Sequence, residues 1–263
     1  MKLRLLFPLL AWLAAGPALA ACPRIVSQSP YLTAALEWLG QGQCIVGVSR
    51  YDKHDLPKTG GVMDPDADVL AILRPELLVT VDWVTPEALA QAVPQGTRSL
   101  RLGGFGSIAE SERVLRTLAV ASRMSDAEAQ VRRFRRAWQT AARRVGGKGE
   151  RVLVLSACSG EPYAFGRRHY IGDAFARAGF EVVDRKAGVR HLRAGEDLAD
   201  IPALVARFKP DIVFSLSHES SVACNAALGT VKARIVSLRG ENFFHPGPPL
   251  LQGYRELAAS LKS

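Results

Sequence analysis

The amino-acid sequence predicts an α/β fold of two Rossmann-like lobes with mostly parallel sheets, joined by one long α-helix between the lobes. Apolar runs of strand length alternate with helical segments along the chain, which is typical of parallel α/β sheets. Around Pro75 the chain has, in order, a short helix, a basic residue, the proline itself, an acid and an apolar strand. A closely similar order recurs 135 positions later around Pro210. The repeat indicates two related lobes, and clefts between lobes are common ligand sites.

The start of the chain has the features of an export signal. Lys2 and Arg4 give a positive start, an apolar stretch follows, and Ala18 and Ala20 form a small-residue cleavage site. We therefore divide the chain into a signal peptide (1–20), an N-terminal lobe (21–124), a bridging helix (125–147) and a C-terminal lobe (148–263). We expect a periplasmic protein, because no later segment has the apolar length of a membrane helix.

Strands and helices are predicted from apolar periodicity and from Pro, Gly and capping residues. In the first lobe, strands are predicted at 25–27, 45–48, 77–81 and 100–102, with helices at about 33–39, 67–74 and 86–92. In the second lobe, strands are predicted at 151–156, 181–183, 212–216 and 235–238, with helices near 171–178, 201–208, 220–228 and 250–261. Pro75 and Pro210 end the helices before them, because proline pushes the preceding residue toward extended geometry.

The bridging helix has the clearest pattern. Ser125 and Glu128 have the spacing of a capping box. Apolar side chains then follow at alternating spacings of three and four, at Val131, Phe134, Trp138, Ala141 and Val145. Gly146 and Gly147 are expected to end the helix, whose length of about 30 Å would join the lobes stiffly and allow only a small closing angle.

The chain is basic, with a net charge of +9 that falls to +7 without Lys2 and Arg4. Much of the excess lies on arginines of the bridging helix, which we interpret as a solvated face. Nucleic-acid binding is not expected for an exported chain without a nucleic-acid motif. An anionic ligand or an anionic membrane surface stays open.

Four cysteines follow the signal sequence, and an even number in an oxidising compartment favours disulfides. We predict one bridge in each lobe, Cys22 with Cys44 and Cys158 with Cys224. An alternative stays open for the first pair. Residues 19–22, Leu-Ala-Ala-Cys, also match a bacterial lipoprotein cleavage box, which would place a lipid anchor on Cys22 and leave Cys44 unpaired.

Three segments resemble the periplasmic solute-binding proteins whose two lobes are joined by one long helix. Residues 24–30 resemble the opening strand and Ser-Pro turn of that family, residues 45–52 its Val-Gly-Val strand and loop, and residues 60–75 the segment before its Lys-Pro-Asp-type strand. The members feed ABC importers for cobalamin, iron–siderophore complexes and haem, and the cobalamin-binding member is the most similar. The resemblance implies a monomeric binding protein, not an enzyme and without a cofactor, that delivers a metal chelate to an inner-membrane permease. A corrinoid is the first expectation, and an iron–siderophore or haem comes next.

The resemblance also implies where the ligand lies, between the strand-end loops of the two lobes. Aromatic walls would suit a large flat chelate. The aromatic and imidazole candidates in these loops are Tyr51, Trp83, Tyr163, Phe243, Phe244 and His245. Packing roles are the alternative for Trp83 and the two phenylalanines. Two tryptophan positions of the cobalamin binder correspond here to Val62 and Asp197, which puts the identity of the chelate in doubt.

Arg167, Arg168 and His169 come just before a predicted helix, where arginines and a helix N-terminus would favour anionic groups of a ligand. A solvated loop is the alternative. No histidine pair has the spacing of a protein-built metal site, and His169 and His245 are retained only as candidates to contact a chelated metal.

Permease docking in this family uses an exposed acid on each lobe. Asp68 matches the first position, whereas the second holds the uncharged Ala203, so Asp200 or Glu196 would have to substitute. Two other functions stay open. One is an exported α/β hydrolase, for which Ser156, Ser159 and Ser217 lie at strand ends without a Gly-x-Ser-x-Gly motif. The other is a ligand-free docking or sensing module.

Overall fold

The predicted two-lobed α/β fold is confirmed by a computed structural model, which describes residues 22–156, 161–217 and 228–262. The first lobe is built on a four-stranded parallel sheet of order β2-β1-β3-β4. Its strands are β1 (Ile25–Ser27), β2 (Ile45–Val48), β3 (Leu77–Val81) and β4 (Arg98–Leu102). Every residue of β3 is buried, as expected for a central parallel strand with helices on both faces.

The helices of the first lobe are α1 (Pro30–Trp38), α2 (Ala67–Leu73), α3 (Pro86–Ala92) and α4 (Ile108–Ala121). Helix α4 was not predicted, although the sequence marks its start. The Ser107 hydroxyl accepts a hydrogen bond from the Glu110 N–H (3.2 Å), and the Glu110 carboxylate accepts one from the Gly106 N–H (2.8 Å). This arrangement is a variant of the capping box, which satisfies N–H groups that the first turn of a helix leaves unpaired.

The second lobe is built on a six-stranded, mostly parallel sheet of order β10-β9-β5-β6-β8, with β7 paired to β5. Its strands are β5 (Arg151–Ser156), β6 (Tyr163–Phe165), β7 (Glu181–Val182), β8 (Val189–His191), β9 (Ile212–Ser217) and β10 (Arg234–Arg239). Its helices are α6 (Tyr170–Arg177), α7 (Ile201–Phe208) and α8 (Leu250–Ser260). Strands β6 and β8 were not predicted, and they are the antiparallel part of this sheet. Most of the helix predicted at 220–228 lies outside the described residues.

The sequence repeat is also a structural repeat. Helix α2 begins at an aspartate cap, Asp66, and ends at Arg74 in the left-handed conformation (φ 45°). Helix α7 begins at Asp200 and ends at Lys209 (φ 46°). The extended geometry expected for the residue before each proline is wrong, because Arg74 and Lys209 are left-handed and each closes its helix with a backbone cap. The proline that follows prevents the helix from continuing, and the chain turns into a buried strand.

The bridging helix, α5 (Ala127–Val145), is unbroken, and its 19 residues correspond to about 28 Å. Phe134 packs edge-on against Trp38 of α1 in the first lobe, with ring centroids 5.9 Å apart. Trp138 lies under Arg177 of α6 in the second lobe, with the guanidinium carbon 5.1 Å from the ring centroid. The helix therefore contacts both lobes.

The two predicted ends of α5 have different outcomes. Gly146 ends the helix with φ 71°, as expected. The capping box at Ser125 is wrong, because the helix begins after Asp126, which makes no side-chain capping bond. Glu128 instead forms an ion pair with Arg116 of α4, so its carboxylate is held by a tertiary contact.

The first predicted disulfide is present. Cys22 and Cys44 are bonded, with Cα atoms 5.9 Å apart, and they tie the segment before β1 to the segment before β2. A lipid on Cys22 would need the same sulfur atom. Cys158, Cys224 and the predicted signal peptide lie outside the described residues. Among the helices that the structure describes, none combines the length and the apolar surface needed to cross a bilayer.

Candidate ligand-binding cleft

A cleft of about 750 Å³ opens between the two lobes. Its first wall comes from the first turn of α1 and from loops that follow the carboxyl ends of the parallel strands, and it includes Tyr31, Tyr51, Val62, Met63, Trp83 and Phe105. Its second wall includes Tyr163, Phe165, His169, Val189, His191, Phe244 and His245. The structure thus brings together Tyr51, Trp83, Tyr163, His169, Phe244 and His245 of the residues proposed from sequence.

Phe105 lies where the two lobes meet. Its ring is 5.0 Å from the ring of Trp83 and makes edge-on contacts with Tyr31 (5.3 Å) and with Tyr170 of α6 (5.8 Å). Its carbonyl accepts a hydrogen bond from the Tyr170 N–H at 2.8 Å. Sequence reasoning missed Phe105, although its position in the glycine-rich loop after β4 matches that of the other strand-end residues.

The second wall is formed by the antiparallel pair of β6 and β8. Tyr163 lies opposite His191 and Phe165 lies opposite Val189, so alternate residues of both strands share one face. Phe165 also lies 6.2 Å from Phe244 between ring centroids. Sequence reasoning missed Phe165, Val189 and His191 as cleft residues because it did not predict these strands.

His169 belongs to the cleft but is also a structural residue. Its Nδ1 accepts a hydrogen bond from the Ile171 N–H (3.2 Å) and caps α6. Burial lowers the pKa of His169 to about 4, so the ring is neutral at neutral pH. With Nδ1 as the acceptor, the ring proton lies on Nε2, which can donate a hydrogen bond but cannot bind a metal in this tautomer.

Three of the proposed ligand residues are not brought into the cleft. Arg167 and Arg168 line a separate depression beside α6 and β7, and Arg167 donates a hydrogen bond to Asp173 at 3.1 Å. The Arg167 N–H bonds to the Asp184 carbonyl (2.7 Å), and of the three successive side chains only that of His169 faces the cleft. Phe243 is fully buried, with its ring 5.6 Å from that of Phe175.

The positions that depart from the cobalamin binder have different surroundings. Val62 lines the cleft. The Asp197 side chain is exposed and lies 3.9 Å from Arg190, so it does not form a wall. The described parts of the chain contain no group of three or more His, Cys, Asp or Glu side chains that could hold a metal ion.

The loop that carries Tyr51 is fastened by His54. One ring nitrogen lies 2.5 Å from the Asp52 carboxylate, and the other lies 2.7 Å from Glu37 of α1. The hydrogen bonds to Asp52 and Glu37 raise the pKa of His54 above 6.5. Lys58 is the neighbouring cation, and its amino group donates to the carbonyls of Asp52 and His54. His54 therefore joins the loop of Tyr51 to helix α1 most strongly when it is protonated.

This contact predicts a dependence of stability on pH. Because the folded pKa is raised, the contribution is complete below pH 6.5 and is lost as the pH rises through the folded pKa. The His54 side chain is 40% exposed, so we expect a loss of at most about 1 kcal/mol. His54→Gln should remove this component from urea unfolding curves measured across a pH series, whereas His191→Gln should retain it. Equal pH dependence in the wild type and His54→Gln would contradict the assignment.

No protein-family model and no curated protein sequence matches the chain. Solved structures do match. The periplasmic haem-binding protein HutB of Vibrio cholerae has a TM-score of 0.76 at 18% identity, over 91% of this chain and 99% of that one. The periplasmic vitamin B12-binding protein BtuF of the same organism has a TM-score of 0.70 at 16% identity, over 92% and 97%. A periplasmic haem-binding protein of Pseudomonas aeruginosa has a TM-score of 0.67 at 24% identity, over 90% and 92%. The chain therefore has the fold of the periplasmic substrate-binding proteins, as the resemblance implied.

Proposed function

We propose that this protein is a monomeric periplasmic receptor that captures a metal chelate in the cleft and passes it unchanged to an ABC importer. The observation that supports this function is the aromatic lining of a cleft of about 750 Å³, to which both lobes contribute a wall. Small-molecule sites commonly have volumes of about 300–1,000 Å³, apolar walls and a few polar groups that set orientation. A flat metal chelate suits such a site.

The exposed rings in the cleft support a large apolar ligand. Tyr51 is 64% exposed and Trp83 is 53% exposed, and both line the same cleft. Exposed apolar side chains that lie together mark a binding groove, whereas single ones do not. A flat ligand would cover both rings without ordering many side-chain torsions, because aromatic side chains have few rotatable bonds. The same rings would stabilise a porphyrin or a corrin by stacking and by exclusion of water.

Within this class we propose an iron porphyrin as the ligand. Four cleft side chains carry atoms that bind iron, namely Tyr51, Tyr163, His191 and His245. An iron porphyrin has open axial positions that such side chains can occupy. A corrinoid is the second candidate, because Tyr51 and Tyr163 are the residues that match the cobalamin binder and both line the cleft.

Importer docking is proposed for α2 of the first lobe. Asp68 is exposed in the first turn of this helix, and the helix cap is provided by Asp66, which leaves the Asp68 carboxylate available to a permease cation. Asp200 is exposed as well, but its carboxylate accepts the Ala203 N–H at 2.8 Å and caps α7. Asp68 is therefore the stronger docking candidate of the two.

The other two functions have less support. Ser156 and Ser217 are buried at strand ends, and neither hydroxyl is hydrogen-bonded to a histidine of the described chain; Ser159 lies outside it. A ligand-free module would have a cleft filled by its own side chains, for which Phe243 and Phe244 are the candidates. The cleft is open, and Phe243 packs in the core instead.

The proposal is tested by titrating the mature protein with haemin, cobinamide, cobalamin and ferric siderophores. We expect haemin to bind with a shift of its Soret band and to quench tryptophan fluorescence. At a concentration one hundred times Kd, a ligand stabilises by about 2.7 kcal/mol, which should raise the Tm by about 5–10 °C. A rise in Tm with cobinamide or cobalamin but not with haemin would favour a corrinoid as the ligand. No rise with any chelate well above micromolar concentration would overturn the proposed function.

A further inference from the structure

A second groove lies outside the ligand cleft, between the bridging helix α5 and the C-terminal helix α8. Its volume is about 670 Å³. Four charged side chains of the described residues line it, and all four are cations, Arg136 and Arg144 from α5 with Arg255 and Lys262 from the α8 side. Because no carboxylate side chain of residues 22–156, 161–217 and 228–262 belongs to the lining, the groove carries a positive potential.

These cations are exposed and have no ion-pair partner within 4.0 Å in residues 22–156, 161–217 and 228–262. Arg255 donates a hydrogen bond to the Gln252 side chain, at 2.8 Å. Neighbouring arginines of α5 are used differently. Arg135 pairs with Glu112 of α4, and Arg133 stacks on Trp38, 4.5 Å from the ring centroid. The packing of α5 against α1 and α4 therefore explains those two arginines but not the cations of the groove.

The floor between the cations is apolar. Ala137 and Ala141 of α5 and Leu251 and Ala258 of α8 line it and are partly buried. Arg136 and Arg144 are separated by eight residues of one helix, about 12 Å along its axis. Guanidinium groups bind phosphate oxygens in pairs of hydrogen bonds, and an apolar strip accommodates the glycerol and upper acyl segments of a lipid.

The positive surface continues beyond the groove. Arg132 and Arg143 are exposed and lie on the same side of α5 as Arg136, because their spacings of 4, 7 and 11 residues follow the helical period. An extended anionic surface would neutralise these charges together, whereas a single acidic side chain would neutralise one or two. We propose that the α5–α8 groove docks this protein on a membrane surface that contains anionic phospholipid. This role is independent of the ligand cleft.

The experiment is flotation of the mature protein with vesicles. Vesicles of phosphatidylglycerol mixed into phosphatidylcholine should bind the protein, and vesicles of phosphatidylcholine alone should not. Raising the salt concentration should release it, because exposed charges are screened. Arg136→Gln/Arg144→Gln should weaken binding about thirtyfold, as expected when two cations near an anionic surface are removed. Glutamine has a helix propensity close to that of arginine, so the fold should be retained.

The matched control is Arg98→Gln/Arg207→Gln, which removes the same charge from exposed positions on β4 and α7. This control should bind anionic vesicles within about twofold of the wild type. If both variants lost vesicle binding equally, binding would depend only on net charge, which would overturn the proposal. Absence of flotation with anionic vesicles would also overturn it, as would tighter binding of a poly-glutamate peptide than of the vesicles, which would indicate an acidic protein partner instead.

Discussion

Replacing Trp83 and Tyr163 together by alanine is expected to weaken haemin binding about a thousandfold. The two rings belong to opposite walls of the cleft, one after β3 and one on β6. Central aromatic side chains that are covered on binding commonly contribute about 2 kcal/mol each, and about 4 kcal/mol corresponds to a factor of about 1,000 in Kd. The measurement is a titration followed by haemin absorbance, which does not depend on the tryptophan that is removed.

Two controls separate ring stacking from other effects. Tyr163→Phe keeps the ring of Tyr163 and removes only its hydroxyl, and it should retain most of the affinity; a large loss in this variant would instead assign the role to the Tyr163 hydroxyl. Ile72→Ala truncates an apolar side chain that is 78% exposed outside the cleft, and it should leave Kd unchanged. Wild-type affinity in the double alanine variant would show that the ligand does not lie between these walls.

Phe134→Ala in the bridging helix is expected to lower the free energy of unfolding by about 3–5 kcal/mol. Phe134 has no exposed surface and packs against Trp38 of the first lobe. Its replacement removes a buried ring and leaves a cavity where α5 contacts the first lobe. One continuous cluster of buried side chains includes residues of both sheets and of α5, so we expect a single cooperative unfolding transition in denaturant.

The comparison variant for this prediction is Val120→Ala on α4. Val120 is 60% exposed, and its truncation should change stability by no more than about 0.5 kcal/mol. If Phe134→Ala lowered the free energy of unfolding by less than about 1 kcal/mol, tight packing of α5 against the first lobe would be contradicted. Two separate unfolding transitions in the wild type would show that the lobes do not share one core.

Cleft residues in the loops after parallel strands were easier to predict from the sequence than cleft residues on β6 and β8. Tyr51 follows β2 and Trp83 follows β3, and apolar runs located both strands in advance. The wall of β6 and β8 could not be predicted in this way. Each of these strands has only three residues, and each is defined by its antiparallel partner and not by the repeated order of strand and helix.

Phe243 and Phe244 are adjacent in the chain, and the sequence could not predict that only one of them would line the cleft. Both follow β10, and both are equally apolar. Phe243 enters the core because α8 presents Gly253 to it, where an added Cβ would lie 2.9 Å from the ring. Phe244 packs over Gly240 and lines the cleft. The partner glycine for Phe243 is on another helix, so no local pattern distinguishes the two rings.

The sequence by itself determined the α/β class, the repeated helix–proline–strand unit and the long amphipathic helix, and it favoured a bond between Cys22 and Cys44 that the structure then showed. These features depend on local periodicity, on proline and glycine geometry, and on an even number of cysteines. Only the tertiary structure decided which side chains face each other across the cleft and which arginines form ion pairs within the described parts of the chain. Those outcomes depend on packing between residues far apart in the chain, where burial and competition for partners select one arrangement from several that the local pattern allows.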